Sequence, residues 1–287
     1  MTRKMTIDLS MGKVGVKIAS QREAVEAAHY YGFESVEPIP SSLAKLTDQE
    51  WNDLKSQMSS LKVQFGAGGM PVQFREDEAK YKSDLATLPK TADMLKRAGV
   101  TRVGTYIKPS HKELTYSANM KQHVARLKPI AEVLKERGIR LGLEYVGPRT
   151  SLLAERFPFI HTLAETKDLI AEIGTGNVGI VLDSWHWYHA GETKQDLLKL
   201  KNEEVVAVDL NDAPKGVAKE QMNDLIRELP CATGIIPVGE FLGALVQIGY
   251  DGPVRAEPFK KELGLMPKED ALSQTAEAMR KAFELAK

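Results

Sequence analysis

The stretch Val178-Gly-Ile-Val-Leu-Asp-Ser-Trp-His-Trp-Tyr-His-Ala-Gly191 decides the fold. Its first five residues, 178–182, are small or apolar and suit a strand buried on both faces, as in a parallel sheet. The run stops at Asp183. An ionised carboxylate at the inner end of a buried strand is costly unless it is paired or bound to metal. His186, three residues on, can ligate a metal or carry a proton near neutral pH. The plainer reading is a strand end whose Asp183 caps the next turn.

Working outward, the same form recurs. Short apolar runs at residues 5–9, 33–37, 61–65, 100–106, 139–144, 205–209 and 253–257 read as strands. Helical stretches alternate with them. One follows the N-cap Ser20, with Glu23 as the partner of a capping box, and stops at Gly32. Others cover roughly residues 48–61, 76–98, 118–137, 163–173, 194–200, 240–248 and 269–286. Gly66-Ala-Gly-Gly69 reads as a turn, and residues 215–239 as irregular or partly helical. Eight strands alternating with helices predict one (β/α)8 TIM barrel, a single domain over residues 1–287. There is no GxGxxG after the first strand and no GxxxxGK[ST], which argues against a nucleotide-binding doubly wound sheet.

The chain has 287 residues, 43% hydrophobic and 27% charged, an ordinary balance for a globular domain with a sizeable core. Lys plus Arg equals Asp plus Glu at 39 each, so overall charge gives no support for nucleic-acid or anionic-membrane partners. One cysteine, Cys231, allows no internal disulfide and fits a reducing compartment. The amino end lacks an apolar stretch of signal-peptide length, and no run is long enough to span a bilayer. The expectation is a cytoplasmic protein, with a homo-oligomer left open.

In such barrels the chemistry sits at the carboxyl ends of the strands. Strands five to eight end in Glu144, Asp183, Asp209 and Glu257, one acid each. Four like charges in one mouth repel strongly, and a single divalent ion is the simplest means of keeping all four ionised. An all-oxygen ligand set favours Mn²⁺ or Mg²⁺ over Zn²⁺. The competing reading is four separate carboxylates, each paired with a Lys or Arg.

Those residues resemble the xylose isomerase-like TIM-barrel family of sugar and sugar-phosphate isomerases and epimerases. The matching pieces are Leu-Glu144, Asp183-Ser-Trp-His186, Asp209-Leu-Asn-Asp212 and Glu257-Pro-Phe259, in order along essentially the whole chain. The resemblance implies a metal on Glu144, Asp183, Asp209 and Glu257, with the two glutamates exchanging protons with substrate carbon. It further implies that His186 and Lys215 bind substrate oxygens, and that Glu37 touches substrate. The chain departs from the family at strand seven, where Asp209 stands in place of the usual His or Gln.

The implied reaction is proton abstraction beside a carbonyl through an enediolate. Return of the proton gives epimerisation or isomerisation of a ketose or other keto-sugar; loss of a β-substituent makes the enzyme a lyase or dehydratase on a keto-sugar or keto-cyclitol. Trp185, Trp187 and Tyr188 are candidates for an apolar wall against the ring. Lys108 is a weaker candidate for an acidic group, and His111 and His189 read as loop histidines. A non-catalytic sugar-binding protein and an apurinic-site nuclease are the alternatives of other classes. The latter is disfavoured because three-zinc sites of that type are rich in histidine.

Overall fold

The computed structural model describes residues 3–286; Met1, Thr2 and Lys287, within the expected 1–287 span, lie outside the described residues. The chain opens with β1 (Thr6–Leu9) and α1 (Gln21–Tyr31). Ser20 Oγ accepts from the Glu23 amide at 3.2 Å, and Gly32 ends the helix at φ 83°, where a side chain would be strained. The capping box is not closed: Glu23 instead accepts from Lys268. Next come β2 (Ser35–Val36), α2 (Pro40–Leu43), α3 (Asp48–Leu61), β3 (Gln64–Phe65), β4 (Gly68–Gly69) and α4 (Glu78–Ala98). The middle of the chain gives β5 (Arg102–Tyr106), β6 (Ser110–His111), α5 (Tyr116–Lys135), β7 (Arg140–Glu144), α6 (Arg149–Leu152), β8 (Phe157–Pro158) and α7 (Leu163–Ile173). It continues with β9 (Val178–Asp183), α8 (Ser184–Ala190), α9 (Lys194–Leu197) and β10 (Val205–Leu210), then α10 (Val238–Gln247), β11 (Pro253–Ala256) and α11 (Lys268–Glu284).

The main sheet runs β3-β2-β1-β11-β10-β9-β7-β5-β4, with every pair parallel. Its two end strands, β3 and β4, are separated only by Gly66 and Ala67, so they are two halves of one interrupted strand. The first half pairs with β2 and the second with β5, which closes the barrel. The Gly-rich segment expected as a turn is therefore part of the wall. Gly66 is needed there, because a Cβ would lie 2.1 Å from Asp8 Oδ1. A two-stranded antiparallel pair, β6 with β8, lies outside the barrel.

The register puts chemistry in layers. Low in the lumen, Ala67, Val181 and Ala207 form a small buried plug. Gly104 and Gly142 make room for it, since a Cβ on either would lie under 3 Å from Val181 Cγ2. Above the plug, Asp8 stands opposite Arg255, Arg255 opposite Asp209, and Asp209 opposite Asp183. Neighbouring parallel strands lie about 4.8 Å apart, so these side chains share one layer. The helices cover the outside, burying Leu88, Leu95, Leu127, Leu134, Leu169, Phe241 and Leu245 completely or nearly so. Among the described residues no helix is long and apolar enough to cross a membrane.

Candidate active site at the strand ends

β9 stops at Asp183 because its side chain turns to cap the next helix: Asp183 Oδ1 accepts from the Trp185 amide at 2.7 Å. The aromatic stretch after it is thus the helix α8, not a loop, and it carries His186 inward. Both the capping and the clustering readings of Asp183 are satisfied at once. The same Oδ1 accepts from Asn211 Nδ2 at 2.8 Å, and Asn211 is fixed by Ser184 on either side.

Glu144, Asp183 and His186 bring ligand-type atoms within 4.8 Å of one another, as do Glu144, Asp209 and Glu257. All four strand-end acids therefore converge, and the two triads form a candidate metal-binding cluster. Three basic side chains converge with them. Lys13, on the loop after β1, lies 3.2 Å from Asp209 Oδ2 and donates to Glu257 Oε1. Arg227 Nη1 donates to Asp183 Oδ2 at 2.8 Å and to Glu257 Oε2 at 3.1 Å. Arg255 forks onto Asp209, at 2.9 Å from Nε and 2.6 Å from Nη2, the bidentate geometry that guanidinium favours.

Burial drives the electrostatics. It pushes the Glu144 carboxyl well above the usual range, reinforced by the Glu257 charge and opposed by Lys13. Burial also raises Glu257 against the pull of Lys13. At Asp209 burial acts upward but is outweighed by Arg255 and Lys13, leaving that carboxyl low. His186 is pushed down to about 3 by burial and by Arg227, so its ring is neutral. Its Nδ1 accepts from the Gly147 amide at 3.2 Å, and its Nε2 lies 3.5 Å from Arg227 Nη2. Gly147 permits this close approach: a Cβ there would meet the His186 carbonyl oxygen at 2.4 Å. Deeper, Asp8 is raised to about 7 by burial, with Arg255 opposing.

A cavity of about 690 Å³ opens over this layer, lined among others by Tyr106, Lys108, Glu144, His186, Arg227, Glu257 and Phe259. Arg227 forms part of its floor. The guanidinium lies 4.6 Å from the Phe259 ring centre and 5.3 Å from that of Trp185, and it also binds Asp224 Oδ1 at 2.9 Å. Phe259 reaches it from a φ of 40°, a left-handed conformation that costs a non-glycine residue about 1–3 kcal/mol. The segment that delivers Arg227 is anchored by Asp212. Its carboxylate accepts from the amides of Ala213, Thr233, Gly234 and Ile236, and its backbone pairs both ways with Glu228.

Glu144, His186 and Glu257 thus line the cavity, with Asp183 and Asp209 behind them. Three expected substrate contacts lie elsewhere. Lys215 is exposed on the turn after β10 and does not line the cavity, because the chain there follows Asp212 away from the mouth. Glu37 accepts from Ser10 Oγ at 2.7 Å and the Gly12 amide at 3.5 Å, bracing the Lys13 loop instead. Trp187 is buried against Phe241, 5.3 Å between ring centres, and its indole donates to Thr193 O. Trp185 and Tyr188 build no cavity wall either: Trp185 backs Arg227, and Tyr188 lies beneath the Lys219 ammonium. Lys13, Arg227 and Arg255 were not anticipated. Arg255 was readable, since it alternates with Glu257 on one strand and period two puts both on one face. Lys13 follows the carboxyl end of β1, a weaker clue. Nothing periodic marks Arg227.

The donor chemistry of the cluster suits a hard dication, and Glu144 Oε1 is a buried oxygen without a hydrogen-bond partner, as a waiting ligand would be. The oxygens of the other three acids are otherwise engaged, Oδ1 of Asp183 by the Trp185 amide and Asn211. Both of Asp209, both of Glu257 and Oδ2 of Asp183 are bonded to Lys13, Arg227 or Arg255. As arranged, the residues do not fit an ion bridging four carboxylates.

A family model described as xylose isomerase-like TIM barrel matches residues 25–282. Among curated proteins, the chain is 25% identical over 217 residues to an inosose isomerase of Halalkalibacterium halodurans, covering 73% of this chain and 72% of that one. It is 26% identical over 135 residues to a 3-dehydroshikimate dehydratase of Pseudomonas aeruginosa, covering 46% of this chain and 20% of the other. Among solved structures, a xylose isomerase domain protein from Alicyclobacillus acidocaldarius superposes with a TM-score of 0.83 at 31% identity, covering 98% of this chain and 99% of that one. The IOLI protein, described with a bound zinc atom, has the same fold at a TM-score of 0.79 and 18% identity, covering 99% of each chain.

Proposed function

Since the chain belongs to the xylose isomerase-like TIM-barrel family, we propose that it is an enzyme that moves a proton beside the carbonyl of a small keto-sugar or keto-cyclitol, giving an isomer or epimer. The observation that carries this reading is Glu144: a buried carboxyl on the cavity wall with an unpartnered oxygen, next to a guanidinium and a neutral imidazole. A carboxyl raised by burial binds a proton more strongly than a solvated one, which suits it to take a proton from carbon. The substrate C–H bond breaks, its electron pair forms a C=C bond as the carbonyl π pair passes to the oxygen, and the proton goes to Glu144. The Arg227 guanidinium and the His186 ring border the oxygen where that charge develops, and a fixed positive charge in a water-poor site is worth most there. Return of the proton to the same carbon from the other face epimerises it; return to the former carbonyl carbon, with the neighbouring hydroxyl proton passing to the former carbonyl oxygen, isomerises. Glu257, held by Lys13 and Arg227, is the second proton-transfer group.

Elimination is the second reading, favoured by the likeness to a dehydratase. The same enediolate would re-form its carbonyl and expel a β-hydroxyl, which leaves as water with the proton that Glu144 had taken, instead of being reprotonated on carbon. The convergence of the acids and the zinc reported in the IOLI structure speak for an ion, Mn²⁺ or Mg²⁺ by the hardness of its ligands, but the bonds of Lys13, Arg227 and Arg255 to those acids speak against one in the resting site. If present, it would be held by Glu144, Asp183 and Glu257, after Lys13 and Arg227 release their oxygens.

The test is incubation with a panel of inososes and ketoses in D₂O, with and without Mn²⁺, followed by proton NMR. The expected result is loss of the C–H signal beside the carbonyl of one panel member. An isomer or epimer as product supports the first reading and an unsaturated product the second. No exchange with any member, under either condition, would contradict both.

A further inference from the structure

We propose that Lys13 and Arg227 supply from within the chain the positive charge that holds the acid cluster together, in place of a divalent ion, so that the resting site takes up no metal. The role of that charge in proton transfer rests on the function proposed above; its effect on metal uptake does not.

The geometry points to this in three ways. First, the basic atoms occupy the gaps between acids: Lys13 Nζ between Asp209 and Glu257, and Arg227 Nη1 between Asp183 and Glu257. A hard dication sits about 2.0–2.6 Å from each oxygen ligand, so it cannot share those gaps with an ammonium or guanidinium. Second, Asp209 has no free oxygen to offer, because Arg255 takes both and Lys13 reinforces one. Third, the bases are built in. Arg227 has its side chain 1% exposed, is stacked between Trp185 and Phe259, and is tied to Asp224 through both Nε and Nη2. The Lys13 loop is braced by Glu37 through Ser10 and Gly12. Removing either base would leave like charges facing each other in a buried place, which is strongly destabilising. Lys13 is therefore a positioning residue that keeps Glu257 on the cavity wall, and Arg227 is the cation that faces the ligand.

The experiment uses the full chain, stripped with a chelator and then dialysed against Mn²⁺, with bound ion measured by elemental analysis and by loss of the free Mn²⁺ EPR signal. The wild type is expected to retain only substoichiometric Mn²⁺ and to show the same thermal midpoint with and without the ion. Lys13→Gln frees one oxygen of Glu257 beside the unpartnered Oε1 of Glu144; it is expected to melt lower, to bind Mn²⁺ stoichiometrically, and to regain its midpoint when the ion is added. Lys13→Arg, which keeps the charge, is expected to stay metal-free. Stoichiometric uptake by the wild type overturns the proposal. So does a folded Lys13→Gln chain that melts like the wild type and takes up no ion. No substrate enters these measurements, so a failed keto-sugar assay leaves their outcome standing.

Discussion

Of the four strand-end acids, Glu144 alone keeps an oxygen with no hydrogen-bond partner, and it does so on the cavity wall. Glu144→Gln keeps the shape and removes the proton carrier. Exchange of substrate hydrogen with solvent is expected to fall by about 10²–10⁴-fold, with KM little changed, as measured by steady-state kinetics and NMR exchange. The thermal midpoint is expected to hold or rise, because burial disfavours this charge. Asp8 offers a test of stability instead. Its carboxyl is raised from the ordinary 3.8 to about 7, so the folded state binds a proton that the unfolded chain has lost. The stability this gives is fully present below about pH 3.8 and is lost as pH rises toward 7. The deficit at pH 8 is on the order of 4 kcal/mol. Asp8→Asn is therefore expected to raise the melting temperature at pH 8 and to flatten its pH dependence between 4 and 7; an unchanged profile would contradict the raised carboxyl. Of these two residues only Glu144 stood out in the sequence. Asp8 sits in a short strand whose inward face could not be told from its outward one in four residues.

At the scale of elements, the strands and their terminal acids were legible and the cations between them were not. Buried parallel strands read as apolar runs, and an acid that ends such a run is conspicuous. Arg227 comes from the segment 211–237, which has no helical or strand period to place it. Its position is set by Asp212, which collects four amides into one buried carboxylate. Asp212→Ala leaves those donors without an acceptor, each loss costing about 1–3 kcal/mol. A fall in stability of more than about 3 kcal/mol is expected in urea unfolding, together with loss of turnover as Arg227 drifts from Asp183 and Glu257. If turnover survives in the folded variant, the segment does not position the site. The turn expected at Gly66–Gly69 became wall for a related reason: the glycines make room for Asp8 and Pro38, a demand visible only once the strands are in place.

For the whole molecule, alternation of strand and helix was enough to give the barrel, and the barrel fixes where the chemistry lies. What alternation could not give is the charge balance inside the mouth. The acids are local sequence features, whereas their partners arrive from β11, from the loop after β1 and from the segment after β10. Three cations meet four acids at the site, and Glu144 is the acid left without a basic partner. The most direct measurement is a crystal structure with the keto-sugar or keto-cyclitol that exchanges its hydrogen, bound to the Glu144→Gln chain. The carbon beside the carbonyl is expected about 3–3.5 Å from the side chain at 144, the reach of a near-attack geometry, with the carbonyl oxygen toward Arg227 and His186. A ligand seated outside the cavity, or one turned so that its carbonyl faces away from Arg227 and His186, would contradict this assignment of the site.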